Sequence, residues 1–287
     1  MNIKRTLGKL GFAALALSCM LALSACKSSN VSSSEFVDDI ESADVLYNQA
    51  LASMDLGKMS RAQKKLELLD KQHPYSEYSR KALIMQTFIA YRQASYVDAA
   101  EYGQRYVSLY PGDKDAAYAQ YLVGMSYFRQ IPDVTRDQTV AGQAYNAMLK
   151  ITQQYPDSEY TEDAKAKMRI AVDQIAGKEM LTGRYYMERR EFLAAINRFR
   201  YVVEKYQTTR HVEEALARLT ESYMALGLAN EAQAAASVLG HNFPDSQWYV
   251  DSVALLRTGG LEPRESPKSW LAAVGQSIRA SKTTSGS

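Results

Sequence analysis

The chain has 287 residues, with 34 Lys+Arg against 32 Asp+Glu, 20 tyrosines and 2 cysteines. Loss of the leader cations Lys4, Arg5 and Lys9 takes the formal charge from +2 to −1. That excludes the basic stripe a nucleic-acid binder needs. A high content of alanine, leucine and tyrosine, with few β-branched runs, predicts an all-helical protein.

Lys4, Arg5 and Lys9 precede an apolar run from Leu10 to Leu23. The run is too short, and too interrupted by Gly11 and Ser18, to span a membrane. Residues 1–25 therefore read as a signal peptide. Its end, Leu23-Ser24-Ala25-Cys26, resembles the lipobox of bacterial lipoproteins, in which the cysteine is acylated and becomes the first residue of the mature chain. Cys19 leaves with the leader and Cys26 is used by lipid, so no disulfide is predicted. One acyl chain anchors marginally and two or more hold firmly, at about 0.8 kcal/mol per buried CH₂. Lys27 stands where an aspartate would signal inner-membrane retention. By resemblance to other lipoproteins, this implies a lipid-anchored protein on the periplasmic face of the outer membrane. Residues 26–41, with K-S-S-N-V-S-S-S-E from Lys27 to Glu35, are too polar to fold and predict a flexible tether.

Residues 42–258 carry one module five times. Ala62 precedes His73-Pro74, Ala99 precedes Tyr110-Pro111, Ala144 precedes Tyr155-Pro156 and Ala232 precedes Phe243-Pro244, each alanine twelve residues before its proline. A fifth copy, Ala195 to Tyr206-Gln207, keeps the ring and loses the proline. Proline disfavours the helical region for its predecessor and has no N–H, so each module is a helix with a stop. A repeat at this period matches the tetratricopeptide pattern of helical hairpins. In unit one, Ala50, Gly57, Ala62 and Pro74 take its small, turn, small and stop positions. Unit two runs from Arg80 to Pro111, and unit five from Glu213 to Pro244 with Gly227 at the turn. Unit three has a surplus, Gln130 to Thr139, expected to project as a loop. Unit four opens on one long helix, about Glu159 to Arg190. A last helix, Ser246 to Arg257, is expected to cap the open end.

Residues 259–287 form a tail. Ser266 suits an N-cap and Pro267 the first helical position. Trp270, Leu271, Val274 and Ile278 share one narrow apolar face, so a short docking helix is expected over 267–279.

No catalytic set emerges. His73, His211 and His241 are scattered, and there is no phosphate loop, zinc-helix motif or nucleophile elbow. The chain reads as a non-enzyme without cofactor or metal, whose function lies in a binding surface. In the tetratricopeptide pattern the leading helices line a groove. That places Tyr47 and Leu51 of unit one there, then Ile84, Phe88 and Tyr91 of unit two, and Tyr118, Tyr121, Met125 and Phe128 of unit three. Arg92 could meet a terminal carboxylate.

The lipobox, the five repeats, the long third unit, His73-Pro74-Tyr75, Tyr78-Ser79 and Y-Y-x-E-R followed by N-R together resemble the BamD (ComL-type) family of β-barrel assembly lipoproteins. The resemblance covers residues 42 to about 258 and leaves out the tail after Leu261. It implies a scaffold that assists insertion of outer-membrane proteins. Tyr185, Tyr186, Arg189, Asn197 and Arg198 would hold a POTRA domain of a BamA-like barrel-forming subunit. Other lipoproteins of the complex would be neighbours, and the groove would receive the C-terminal signal of unfolded outer-membrane proteins. The alternative is a tetratricopeptide pilot or assembly lipoprotein of a secretin or pilus system, although these usually keep a near-uniform period.

Overall fold

The computed structural model describes residues 40–285, so the leader, Cys26 and most of the tether lie outside the described residues. From Ala43 onward the chain is a helical array. Five hairpins follow one another: α1 (Ala43–Asp55) with α2 (Met59–Gln72), α3 (Glu77–Arg92) with α4 (Tyr96–Leu109), α5 (Ala116–Arg129) with α6 (Thr139–Gln154), α7 (Thr161–Glu188) with α8 (Phe192–Lys205), and α9 (Val212–Ala225) with α10 (Ala229–Asn242). Two further helices, α11 (Gln247–Thr258) and α12 (Trp270–Ser285), close the array. Each helix through α10 packs on the next, and α1, α3, α5 and α7 also touch one another in order, so the leading helices form a continuous layer. The fold is an all-α tetratricopeptide-type solenoid.

The repeated residues account for the repeated geometry. Ala62, Ala99, Ala144, Ala195 and Ala232 are all buried, because only a small side chain lets the two helices of a hairpin approach closely. His73, Tyr110, Tyr155, Tyr206 and Phe243 each follow the last residue of a trailing helix, with φ between −125° and −140° and an amide still bonded to the carbonyl four residues back. Three residues on, an amide returns to each of these carbonyls: Ser76, Asp113, Ser158, Thr209 and Ser246 donate at 3.0–3.1 Å. Tyr206 keeps this turn although Gln207 replaces proline. The turn is thus held by its hydrogen bond, and proline only reinforces it.

Four hairpins turn between their helices on one left-handed residue: Gly57 (φ 69°), Ala94 (φ 60°), Arg190 (φ 59°) and Gly227 (φ 73°). The following amides of Lys58, Ser95, Glu191 and Leu228 bond carbonyls five residues back at 2.8–2.9 Å, which is the Schellman closure of a helix. Hairpin three replaces this turn with residues 130–138. That segment does not project. Gln138 is buried, Lys178 Nζ donates to the Thr135 carbonyl at 2.7 Å, and Val134 lies against Gly177, where a Cβ would stand 3.1 Å from it. The extra turns of α7 provide the surface on which the loop folds back.

The core divides along α7. Ala164 and Met168 in its first half pack with Met125, Met148 and Ile151 of hairpin three. Ala176 and Met180 in its second half pack with Phe199, Val202 and Leu216. The tail helix α12 lies on α10. Leu271, Val274 and Ile278 are buried there, and Trp270 lies under the Arg200 guanidinium of α8, 4.6 Å from the ring centre.

Candidate functional site

Two ring groups lie on the leading helices and at the start of α7. The first contains Tyr47, Tyr78 and Phe88, packed on the core of hairpin one. Tyr47 and Tyr78 are 5.3 Å apart, Lys81 Nζ sits 5.2 Å from the Tyr78 ring centre, and Arg92 lies 5.8 Å from Phe88. The second group contains Tyr91, Tyr118, Tyr121 and Tyr160. Tyr121 stacks on Tyr160 at 4.8 Å, Tyr118 meets Tyr160 at 5.6 Å, and Arg129 Nε donates to the Tyr91 hydroxyl at 3.4 Å. Phe128 lies nearby under Lys167 Nζ, 5.5 Å from its ring centre.

A carboxylate fixes this second group. The Tyr121 hydroxyl donates to Asp163 Oδ2 at 2.8 Å and Lys167 Nζ to Asp163 Oδ1 at 2.9 Å. Burial pushes the Asp163 carboxyl up, but the bonds from Lys167 and Tyr121 outweigh it and hold the group below the ordinary aspartate value. Burial, and then the bond to Asp163, raises the Tyr121 phenol. Tyr121 therefore stays a neutral donor. Lys81, Arg92 and Arg129 have no ion pair among the described residues, leaving positive charge beside half-buried rings.

Not every residue expected in the groove joins these groups. Ile84 packs against the core around Leu83, Tyr106 and Ala116. Met125 is buried beneath the second group, and Leu51 is half-buried in neither. Conversely, Tyr160, Lys81 and Lys167 are part of the surface and were not singled out from the sequence. Lys81 follows Tyr78 by three residues, a helical spacing that offered a signal. Tyr160 immediately precedes α7, where spacing gives no direction.

A separate patch lies where α7 meets α8. Tyr186, Asn197 and Arg198 line one pocket of about 450 Å³ together with Glu179, Ala194 and Tyr201. Arg198 Nη1 donates to Glu179 Oε2 at 3.1 Å, with the arginine side chain 45% exposed. Tyr185 and Arg189 do not line that pocket, although the Tyr185 ring meets Tyr186 edge to face at 5.6 Å. Arg189 lies 5.4 Å from the Tyr185 ring centre and pairs with Glu191 at 3.1 Å.

Among the described residues no group of three or more His, Cys, Asp or Glu could hold a metal ion, and no helix is long and apolar enough to cross a membrane.

The model of the YfiO family, described as outer membrane lipoprotein, matches residues 39–239. The chain is 43% identical over 224 residues to an outer membrane protein assembly factor BamD of Caulobacter vibrioides, covering 78% of this chain and 73% of that one. It is 37% identical over 237 residues to BamD of Rickettsia prowazekii, covering 83% and 93%. A Neisseria meningitidis BamD is 32% identical over 243 residues, covering 81% and 91%. The chain belongs to the YfiO family of outer membrane lipoproteins, the family of the assembly factor BamD.

Proposed function

We propose that the chain is a non-catalytic scaffold of outer-membrane protein assembly, lipid-anchored through Cys26 at the periplasmic face of the outer membrane. Its leading helices receive the C-terminal segment of an unfolded outer-membrane protein. Its Tyr186–Asn197–Arg198 patch receives a POTRA domain of a BamA-like barrel-forming subunit, beside the other lipoproteins of the complex. The carrying observation is the pairing of half-buried rings with cations that lack a carboxylate partner. A peptide that ends in an aromatic residue offers both complements, a ring for the apolar surface and a terminal carboxylate for Arg92 or Arg129.

The test is peptide binding to the purified protein. A peptide ending in phenylalanine should bind about tenfold more tightly than its alanine-ending or amidated counterpart, since one buried ring or one charge-assisted bond contributes ~1.5–3 kcal/mol. Phe88→Ala/Tyr121→Ala, with its helical signal intact, should remove that preference. Equal affinity for all three peptides rejects the groove assignment. For the second site, Arg198→Glu should weaken POTRA binding by about 2 kcal/mol or more, as expected for an interface arginine. If Arg198 is only a solvated ion pair, the change stays near ~0–1 kcal/mol.

A further inference from the structure

The trailing side of α7 carries a second apolar surface. This helix has 28 residues, about twice the length of its neighbours and ~42 Å at 1.5 Å per residue. Because α6 packs on its first half and α8 on its second, the two trailing helices are offset along it. The middle of α7 is left as the floor of a cleft of about 630 Å³. Met168, Val172 and Ile175 form this floor, spaced i, i+4 and i+7. Tyr145 of α6 and Tyr201 and Tyr206 from α8 and its end form the walls. The rings of Tyr201 and Tyr206 meet edge to face at 5.5 Å, and Tyr201 is 42% exposed.

The charged side chains that line this cleft are all cations, with the Glu162 carboxylate beside Lys165 and Arg169 at its edge. Lys165, Arg169 and Lys205 line it, and no carboxylate does. Lys165 is held by Glu162 at 2.7 Å, whereas Arg169 and Lys205 are exposed and have no ion pair among the described residues. The Glu179 carboxylate that neutralises Arg198 lies in the adjoining pocket, which shares Tyr201 with this one.

We infer that the cleft between α6, α7 and α8 is a docking groove for an acidic amphipathic helix of a protein partner. The floor is an apolar line ~10 Å long, which two turns of helix match when their apolar residues recur at i, i+4 and i+7. Tyrosine walls and an arginine rim are the residue types that carry binding energy at such sites. The cations select carboxylates on the flanks of that helix and repel a basic one. This surface is distinct from the leading-helix groove, because none of the residues that line it belongs to the two ring groups.

The test uses the full lipoprotein in detergent and a fluorescent amidated peptide of about 18 residues, long enough to be helical. The peptide has leucine at i, i+4, i+7 and i+11, with glutamate and alanine elsewhere. A second peptide replaces every glutamate with lysine. The acidic peptide should bind about tenfold or more tightly than the basic one, and Arg169→Glu/Lys205→Glu should reverse that order, because both changed residues are exposed and the fold is kept. Phe88→Ala/Tyr121→Ala should leave acidic-peptide affinity unchanged, which separates this surface from the client groove. The inference is overturned if neither peptide binds or if both bind equally. It is also overturned if charge reversal has no effect or if the groove double variant abolishes binding. Phosphatidylglycerol added to the detergent micelles is the last arm: if it binds in a way that depends on Arg169 and Lys205 while the acidic peptide does not, the occupant is lipid and the inference fails.

Discussion

The same substitution, glycine to alanine, should have opposite signs at two places beside these surfaces. A Cβ on Gly183 would stand 2.4 Å from Phe199 Cε1 and 2.8 Å from Cδ1 and Cζ, where carbon atoms rest comfortably at about 3.5–4.0 Å. Either the ring or α8 must therefore retreat by about 1 Å. Phe199 is fully buried in the core shared by α7, α8 and α9, so the overpacking cost belongs in the upper half of the ~1–3 kcal/mol range. Alanine returns ~1 kcal/mol of helix propensity, leaving a net loss of about 1–2 kcal/mol. On α6, Gly142 has nothing within 4 Å of an added Cβ. There the propensity term stands alone, and Gly142→Ala should stabilise by ~0.5–1 kcal/mol. Urea midpoints followed by far-ultraviolet dichroism measure both. The double variant Gly183→Ala/Phe199→Leu supplies the internal control: if steric conflict is the cause, it should lose less than the sum of the single losses. A neutral or stabilising Gly183→Ala, or strict additivity in the double variant, would refute the packing account of the α7–α8 crossing.

Other consequences are smaller in scope. Asp113 accepts bonds from the Asp115 amide at 3.0 Å and the Tyr106 hydroxyl at 2.8 Å, and pairs with Arg80 at 2.8 Å. The amide bond leads in holding its carboxyl below the ordinary aspartate value against the cost of burial. A depressed folded pKa stabilises fully above the unfolded value near ~3.9 and loses that stabilisation as pH falls through the folded value. Asp113→Asn should therefore cost ~1.5–3 kcal/mol at pH 7 and progressively less below about pH 4, read from urea midpoints across pH. Ala94→Gly relieves a left-handed alanine (φ 60°) and should raise the urea midpoint, by ~0.5 kcal/mol after glycine's entropy is deducted. Leu271→Ala removes a buried anchor of α12; amide exchange over 270–280 should accelerate while α1–α6 stay protected, and a uniform change along the array would show that α12 is no local unit. Cys26→Ser should leave an unprocessed or soluble species, and recovery of mature lipid-bearing protein from that variant would remove the anchor from the proposal.

Much of the array was legible because close-packed helical hairpins constrain residue type at fixed spacing. A buried crossing admits alanine at 62, 99, 144, 195 and 232, and the ring before each stop occupies one backbone geometry five times. The turns were half legible. Gly57 and Gly227 announce a left-handed residue, but Ala94 and Arg190 adopt the same conformation with no glycine to mark it, because the Schellman bonds on either side impose it. The fold-back of residues 130–138 was not legible. It depends on Lys178 and on the missing side chain of Gly177, both on the next helix. The ring stripe on α3 and α5 was visible as periodicity, but periodicity cannot assign each ring to a surface or a core. Ile84 went to the core, whereas Tyr160 came into the surface from outside any stripe.

The length of α7 links these observations. The sequence shows one long helix before Phe192, but its consequence is three-dimensional: the trailing helices α6 and α8 cannot pack in register on a helix about twice their own length. The first half of α7 supplies Asp163 and Lys167, which fix Tyr121 and cover Phe128 on the leading side. Its middle supplies Met168, Val172 and Ile175 to the cleft on the trailing side. Its second half supplies Glu179 and Tyr186 to the patch with Arg198. Three surfaces are thus carried by one continuous helix of 28 residues, ~42 Å long. A scaffold must hold its partners at set distances. A longer helix achieves this with fewer joints than a further hairpin would, because every inter-hairpin turn is a place where the array opens locally.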